Sequence, residues 1–307
     1  MKQISFTALV TLLLLFVTAQ AGFADDAAAP ASSRARVIAS TPPVNVNIAS
    51  AGTLPQGTLF TALNASFSEK DRGKDGGGSR PDVFSQVWLL KTRYGLTNHL
   101  ELATVFSYAN MRMRPQGAPH NHVEGYGDQA LGLSYAPFNI HQGDPLALSF
   151  GLSALLPTAP QGANHAPGNS AWGGRAHAAL GLWLTEDLKF DTEFVLNTPF
   201  ERGNQKVKRG TQYMWNAQMR YSFDYFDLGL ESSLVKMESG DRDVPGGSNI
   251  NLHNGYTEWY VGPSLNIALE PSRAWLGVGV FFPLYQDVKG PAKVDDARFE
   301  FKIGMLW

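Results

Sequence analysis

The chain has 307 residues and carries 25 Lys and Arg against 27 Asp and Glu, a formal charge of −2. It has no cysteine, which excludes disulfides, thiol catalysis and thiolate metal sites. It also lacks the basic excess that a nucleic-acid partner calls for. Charged residues make up 17% of the chain, below the proportion of about a quarter in soluble domains.

The first element reads as a secretory signal peptide over residues 1–24. Lys2 is a basic start, Phe6 to Val17 is an apolar run, and small residues prepare cleavage after Ala24 or after Ala21. No other stretch approaches the roughly 18 apolar residues of a helical span. Residues 25–56 are rich in Ala, Ser and Pro without a period of 2 or 3.6. They read as a flexible periplasmic leader, either a free tail or a plug in a barrel mouth.

From residue 57 to 307 the sequence alternates in twelve segments of about ten residues, the length of a tilted membrane-spanning strand. The first, Thr58–Ser68, puts Leu59, Leu63 and Phe67 on one face. The second, Val83–Tyr94, sets Phe84, Trp88, Leu90 and Tyr94 against Lys91 and Arg93. The third is Leu100–Met111, with Glu101 inward, and the fourth Asp128–Phe138. The fifth, Leu146–Leu156, has five apolar residues on one face. The sixth, Arg175–Leu184, turns Arg175 and His177 inward. The seventh, Leu188–Asn197, sets Phe190 and Phe194 against Lys189, Asp191 and Glu193. The eighth, Tyr213–Phe223, sets Tyr213, Trp215 and Met219 against Asn216, Gln218 and Arg220. The ninth, Phe226–Val235, carries Asp227 and Glu231 inward; the tenth, Tyr256–Leu269, carries Glu258. The eleventh is Trp275–Tyr285. The twelfth, Asp296–Trp307, alternates Phe299, Phe301, Ile303, Met305 and Trp307 with Arg298, Glu300 and Lys302.

A strand has a side-chain period of two, so each segment has one greasy and one polar face. Charged side chains do not fill the interior of a soluble sandwich. They suit a wall with lipid outside and a wet lumen within. The linkers agree. Those after even-numbered segments are short, and those after odd-numbered segments are mostly long and polar. Short periplasmic turns and long extracellular loops are the layout of an outer-membrane barrel. The fold expected is all-β, a single antiparallel transmembrane barrel of about twelve strands in the bacterial outer membrane. Aromatic residues near segment ends, such as Tyr94, Tyr135, Tyr221 and Trp307, suit the lipid–water interface. The final segment, ending at Trp307, is also the expected contact for the barrel-assembly machinery.

The inward charges carry both signs. Facing strands lie about 4.8 Å apart, so carboxylate–cation pairs are expected, such as Lys189 or Glu193 with Arg175 or Arg220. They either fill a narrow lumen or form a polar constriction that selects solutes. Asp128 follows Gly125 and Gly127 and reads as a loop-to-strand hinge or a residue guiding substrate. Pro263 and Pro283 lie inside strand patterns and remove ladder hydrogen bonds, which predicts a kink or side opening near the tenth and eleventh segments. No His-x-Ser pair of the kind used by outer-membrane phospholipases occurs. His120 and His122 with Glu124 fall short of a zinc set, and Asp241, Asp243, Asn249 and Asn251 lack calcium-loop spacing. No metal or cofactor is expected. Arg202, Lys206, Lys208 and Arg209 form a basic outer loop that could meet lipopolysaccharide phosphates.

Two stretches carry a resemblance. Arg93 to Leu102, RYGLTNHLEL, is a strand, tight turn and return strand. Gly125 to Tyr135, GYGDQALGLSY, is a Gly-x-Gly-Asp entry into a strand with alternating leucines. Both resemble the outer-membrane family of meta-pathway phenol degradation, related to long-chain fatty-acid transporter-like β-barrels. The resemblance implies a passive channel for small apolar or aromatic compounds and no enzyme activity. A narrow general or nucleoside-type porin is the alternative within transport. A structural or adhesive barrel acting through its outer loops is the alternative outside it.

Overall fold

A computed structural model of the protein describes residues 51–72, 82–114, 121–144, 146–160, 168–185, 187–223, 226–244, 248–252, 254–270, 274–289 and 294–307. The segment read as a signal peptide and residues 25–50 lie outside them. The alternating segments are strands throughout: β1 (Leu59–Arg72), β2 (Asp82–Gly95), β3 (Leu100–Arg114), β4 (Asn121–Tyr126), β5 (Gln129–Phe138), β6 (Leu146–Leu156), β7 (Gly173–Trp183) and β8 (Leu188–Pro199). There follow β9 (Val207–Lys208), β10 (Gln212–Ser222), β11 (Phe226–Met237), β12 (Asp241–Val244), β13 (Ser248–Asn251), β14 (Tyr256–Glu270), β15 (Ala274–Val288) and β16 (Val294–Leu306).

The wall is one antiparallel sheet in which β1 pairs with β2 on one side and β16 on the other, while β2 also pairs with β3. That closes the ring into a twelve-strand barrel. Closure joins the first and last strands of the wall with no edge at the seam, as lipid requires. The seam is tied at its end: the Trp307 amide donates to the Leu59 carbonyl at 2.7 Å, and the Trp307 indole donates to Thr61 Oγ1 at 3.1 Å.

One wall strand is broken in two. β3 pairs with β5 over Leu100–Val105 and with β4 over Tyr108–Met113. The chain steps between them at Gly127 and Asp128. The wall therefore runs further than the Asp128–Phe138 segment suggests, into residues that read as loop. His122 lies on this extension, its Nε2 3.0 Å from Asn110 Oδ1; His120 is outside the described residues. The β14–β15 register passes over Leu284 beside Pro283 and resumes at Ser264 and Gly279, beyond Gly262 and Pro263. The register is thus interrupted at both prolines, where a kink or side opening was expected. The strands nonetheless stay close, because Gly262 lies against the Val280 carbonyl.

The faces separate by solvent. Leu152 is 72% exposed, Leu230 57% and Phe299 56%, while Glu231, Asn216 and Ser233 are fully buried. Apolar side chains outside and polar ones inside is the inverse of a soluble core. Room inside comes from inward glycines opposite long side chains: a Cβ on Gly151 would meet the His177 ring, and one on Gly229 would meet Ser264 and Arg220. At the outer rim β9, β12 and β13 form a separate three-stranded sheet.

Candidate functional site: the barrel lumen

Inward positions on β8, β10 and β11 build a packed polar half of the lumen. The rows follow the strand register. Glu193, Asn216 and Ser233 are direct cross-strand neighbours. Ser233 Oγ donates to Asn216 Oδ1 at 2.8 Å, and Asn216 Nδ2 donates to Glu193 Oε2 at 3.2 Å. In the next row Gln218 Nε2 donates to Asp191 Oδ2 at 2.5 Å. Asp191 also meets Lys189 Nζ at 2.9 Å, and Arg220 reaches Asp191 at 3.9 Å and Asp227 at 3.6 Å. The side chains of Lys189, Asp191 and Arg220 are each 2% exposed. Buried charges this dry need such partners, since an unpaired one costs several kcal/mol.

The expected pairings are thus partly redrawn. Arg175 does meet Glu193, at 3.8 Å. Lys189 instead turns along its own strand to Asp191, and side-chain amides connect the carboxylates from strand to strand. Glu231, Glu300 and Lys302 are buried alongside, Glu258 is 7% exposed, and the Arg298 guanidinium stacks 4.2 Å from the Tyr260 ring centroid.

The remaining half of the lumen holds a cavity of about 730 Å³. Of the sequence-chosen residues, Lys91, Arg93, Glu101, Asp128, Arg175, His177, Glu193 and Lys302 line it. Periodicity assigned their faces but gave no weight to Val87, Leu89 and Val105, which line the same space. Their shared parity with Lys91, Arg93 and Glu101 was the available signal. Arg209 also lines the cavity, so the basic outer loop turns partly inward. Arg202 turns to Asp241 and, at 2.9 Å, to Asp243. A guanidinium thus occupies the acidic pair that resembled a calcium set.

Both mouths are furnished. At the short-turn rim, residues 52–54 are buried. Leu54 N donates to Glu101 Oε2 at 2.9 Å, Arg93 Nη2 donates to the Gly52 carbonyl at 3.1 Å, and Asn139 Nδ2 donates to Thr53 Oγ1 at 2.7 Å. Arg93 grips Glu101 with two nitrogens, at 2.6 and 2.7 Å. Toward the outer rim, Asp128 accepts from the amides of Ala159 at 3.2 Å, Asn169 at 2.8 Å and Ser170 at 3.1 Å. Asn204 N then donates to the Asn169 carbonyl at 2.7 Å, linking two outer loops.

A closed sheet with a greasy exterior and a charged, partly hollow interior defines an outer-membrane β-barrel, its outer wall in contact with membrane lipid. Residues 48–288 match the family described as "Putative MetA-pathway of phenol degradation", and the chain belongs to that family. No curated relative matches the sequence. An outer membrane channel from Pseudomonas putida F1 shares the fold, with TM-score 0.67 and 16% identity over 86% of this chain and 100% of that one. Weaker likenesses are the β domain of the Bordetella autotransporter BrkA (TM-score 0.48, 10% identity, 82% and 100% covered) and a TodX monoaromatic hydrocarbon channel variant (0.45, 9%, 82% and 90%).

Proposed function

We propose that this protein is a passive outer-membrane channel for small apolar or aromatic compounds and carries no catalytic activity. The observation that supports this most is the cavity of about 730 Å³, which reaches from Gly52 at the periplasmic mouth to Tyr256 and Met237 at the outer rim. That volume suits one small organic molecule. Val87, Leu89, Ala103, Val105, Ala130 and Leu155 give it an apolar flank, which a general porin for hydrophilic solutes does not need. Residues 51–56 serve as the periplasmic stopper, held by Glu101, Arg93 and Asn139. Lys206 and Lys208 remain the basic outer-loop residues that would meet lipopolysaccharide phosphates, and the strand ending at Trp307 would engage the barrel-assembly machinery.

Swelling of liposomes containing the folded protein tests the channel. Phenylalanine, an aromatic solute whose charged groups keep it from crossing the bare bilayer quickly, is expected to enter faster than in protein-free liposomes, while sucrose does not. Equal rates with and without protein for every solute would overturn the reading.

A further inference from the structure

We propose that Asn64 is the hydrogen-bonding station of the lumen: its carboxamide oxygen takes the N–H or O–H of a solute whose aromatic ring lies on Phe60, Val87 and Leu89. The preferred solute is therefore a small aromatic with a hydrogen-bond donor on its ring. This deepens the channel reading and rests on it.

Asn64 is 1% exposed, and its Oδ1 is buried without a hydrogen-bond partner among the described residues. The strand register shows why. Across on β2 stands Leu89, which has no side-chain donor, and across on β16 stands Lys302, which gives Oδ1 no hydrogen bond. On the same face of β1, Ser66 turns its hydroxyl to Glu300 Oε1 at 3.4 Å. A buried acceptor left unmade costs free energy, and no neighbouring side chain recovers it here. Asn64 lines the cavity. The terminal torsion of an asparagine is broad, so the carboxamide can turn its oxygen to a guest.

The surroundings make the guest aromatic. Phe60, Ala62, Val87 and Leu89 line the cavity with Asn64; the first two share its face of β1, and Val87 is two residues from Leu89. One acceptor thus stands in a patch of hydrocarbon. A pure hydrocarbon leaves the oxygen unpaired, and a sugar leaves the patch in water; an aromatic donor satisfies both. Asn197 Oδ1 also lines the cavity without a partner, but its cross-strand neighbours are Arg175 and Gln212. Asn64 is placed at the stopper as well. Leu54 packs with Phe60 and Ala62, so a guest at Asn64 lies just outward of residues 51–56.

Competition against phenylalanine entry into liposomes tests this on the intact protein, since a competitor acts by occupying the lumen whether or not it also crosses lipid. Indole and benzofuran have nearly the same shape, and indole alone donates a hydrogen bond. A site built around a hydrogen bond discriminates against the analogue that lacks it. Indole should therefore halve the wild-type phenylalanine rate at a several-fold lower concentration than benzofuran, a comparison that needs no substitution. Asn64→Leu should raise the half-inhibiting concentration of indole several-fold and leave that of benzofuran unchanged. The same variant should unfold in urea no earlier than the wild type, because it removes a buried acceptor that no protein group satisfies. Earlier unfolding would give Asn64 a structural role and overturn the station. Equal inhibition by the two probes, while phenylalanine still enters, would overturn it too and leave the channel reading standing. Phenylalanine entry no faster than in protein-free liposomes overturns both.

Discussion

The Asp128 carboxylate binds the Ser170 amide with both oxygens, each 3.1 Å from the nitrogen. Ser170 sits at φ 52°, a left-handed conformation that costs a non-glycine residue about 1–2 kcal/mol. The carboxylate holds that strained turn over the cavity, because Gly168, Asn169 and Ala171 beside it are lining residues. Hydrogen bonds to a charged acceptor contribute about 1.5–3 kcal/mol. Asp128→Ala should therefore release residues 168–171 and raise single-channel conductance. Asp128→Asn, which keeps one acceptor oxygen, should fall between. Unchanged conductance in both variants would show that this turn does not gate the lumen.

Ser170 allows a separate check on the same turn. Ser170→Gly removes the conformational strain and should stabilise the folded protein by about 1 kcal/mol. Ser170→Val adds a β-branched side chain at positive φ and should destabilise it. Urea unfolding followed by tryptophan fluorescence reads both; destabilisation by the glycine would remove strain from the account.

At the other mouth, Glu101 is 2% exposed and Arg93 18%. Removing one member of a buried pair leaves an uncompensated charge and costs about 3–5 kcal/mol, whereas replacing both with apolar residues is often neutral. Arg93→Ala should thus destabilise the barrel strongly. Arg93→Met/Glu101→Leu should recover most of the loss in unfolding experiments. Because both residues also hold residues 52–54, the double variant should still expose the leader to added protease. Recovery of stability with full protection would detach the stopper from this pair.

How much of this was legible in the sequence depended on where the two faces met different solvents. The alternation of β16 needed no structure to read, because hydrocarbon lies against Phe299 and Ile303 while Glu300 and Lys302 are buried within. β4 was not legible: Asn121, His122 and Glu124 continue the wall beyond Asp128 with polar residues where alternation carries no contrast. Parity identified Asp191 and Arg220 as inward, but their partnership depends on the register between β8 and β10, which period two cannot supply. The burial of Leu54 gave no periodic signal, since three consecutive leader residues are fixed by Asn139, Arg93 and Glu101 from other parts of the chain.

The β14–β15 contact makes glycine obligatory at one place. A Cβ on Gly262 would lie 2.8 Å from Phe281 Cα and nearer still to the Val280 carbonyl. These are backbone atoms of the neighbouring strand, so the strands themselves must separate. Overpacking of this kind costs about 1–3 kcal/mol, and Gly262→Ala should lower the temperature of the heat-dependent shift in gel mobility. Gly143, with φ 94° and nothing within 4 Å of its virtual Cβ, is the control. Gly143→Ala carries only the conformational term of about 1–2 kcal/mol. A larger loss at Gly143 than at Gly262 would contradict the close approach.

The outward face makes the last prediction, and it separates depth from mere exposure. Leu152 lies centrally on β6 and is 72% exposed; Leu184 follows β7 at the short-turn rim and is 52% exposed. A soluble surface would treat an arginine at either place alike. A lipid-facing wall does not: arginine costs about 2–4 kcal/mol at the bilayer midplane and about 0–1 near the interfaces, where its long side chain reaches water. Leu152→Arg should therefore destabilise the protein in lipid vesicles by several times more than Leu184→Arg, as read from urea unfolding. In detergent micelles, whose apolar layer deforms around a charge, the difference should shrink. Equal penalties in vesicles would mean that the middle of β6 does not sit in hydrocarbon, and the assignment of the outer wall to lipid would fall with it.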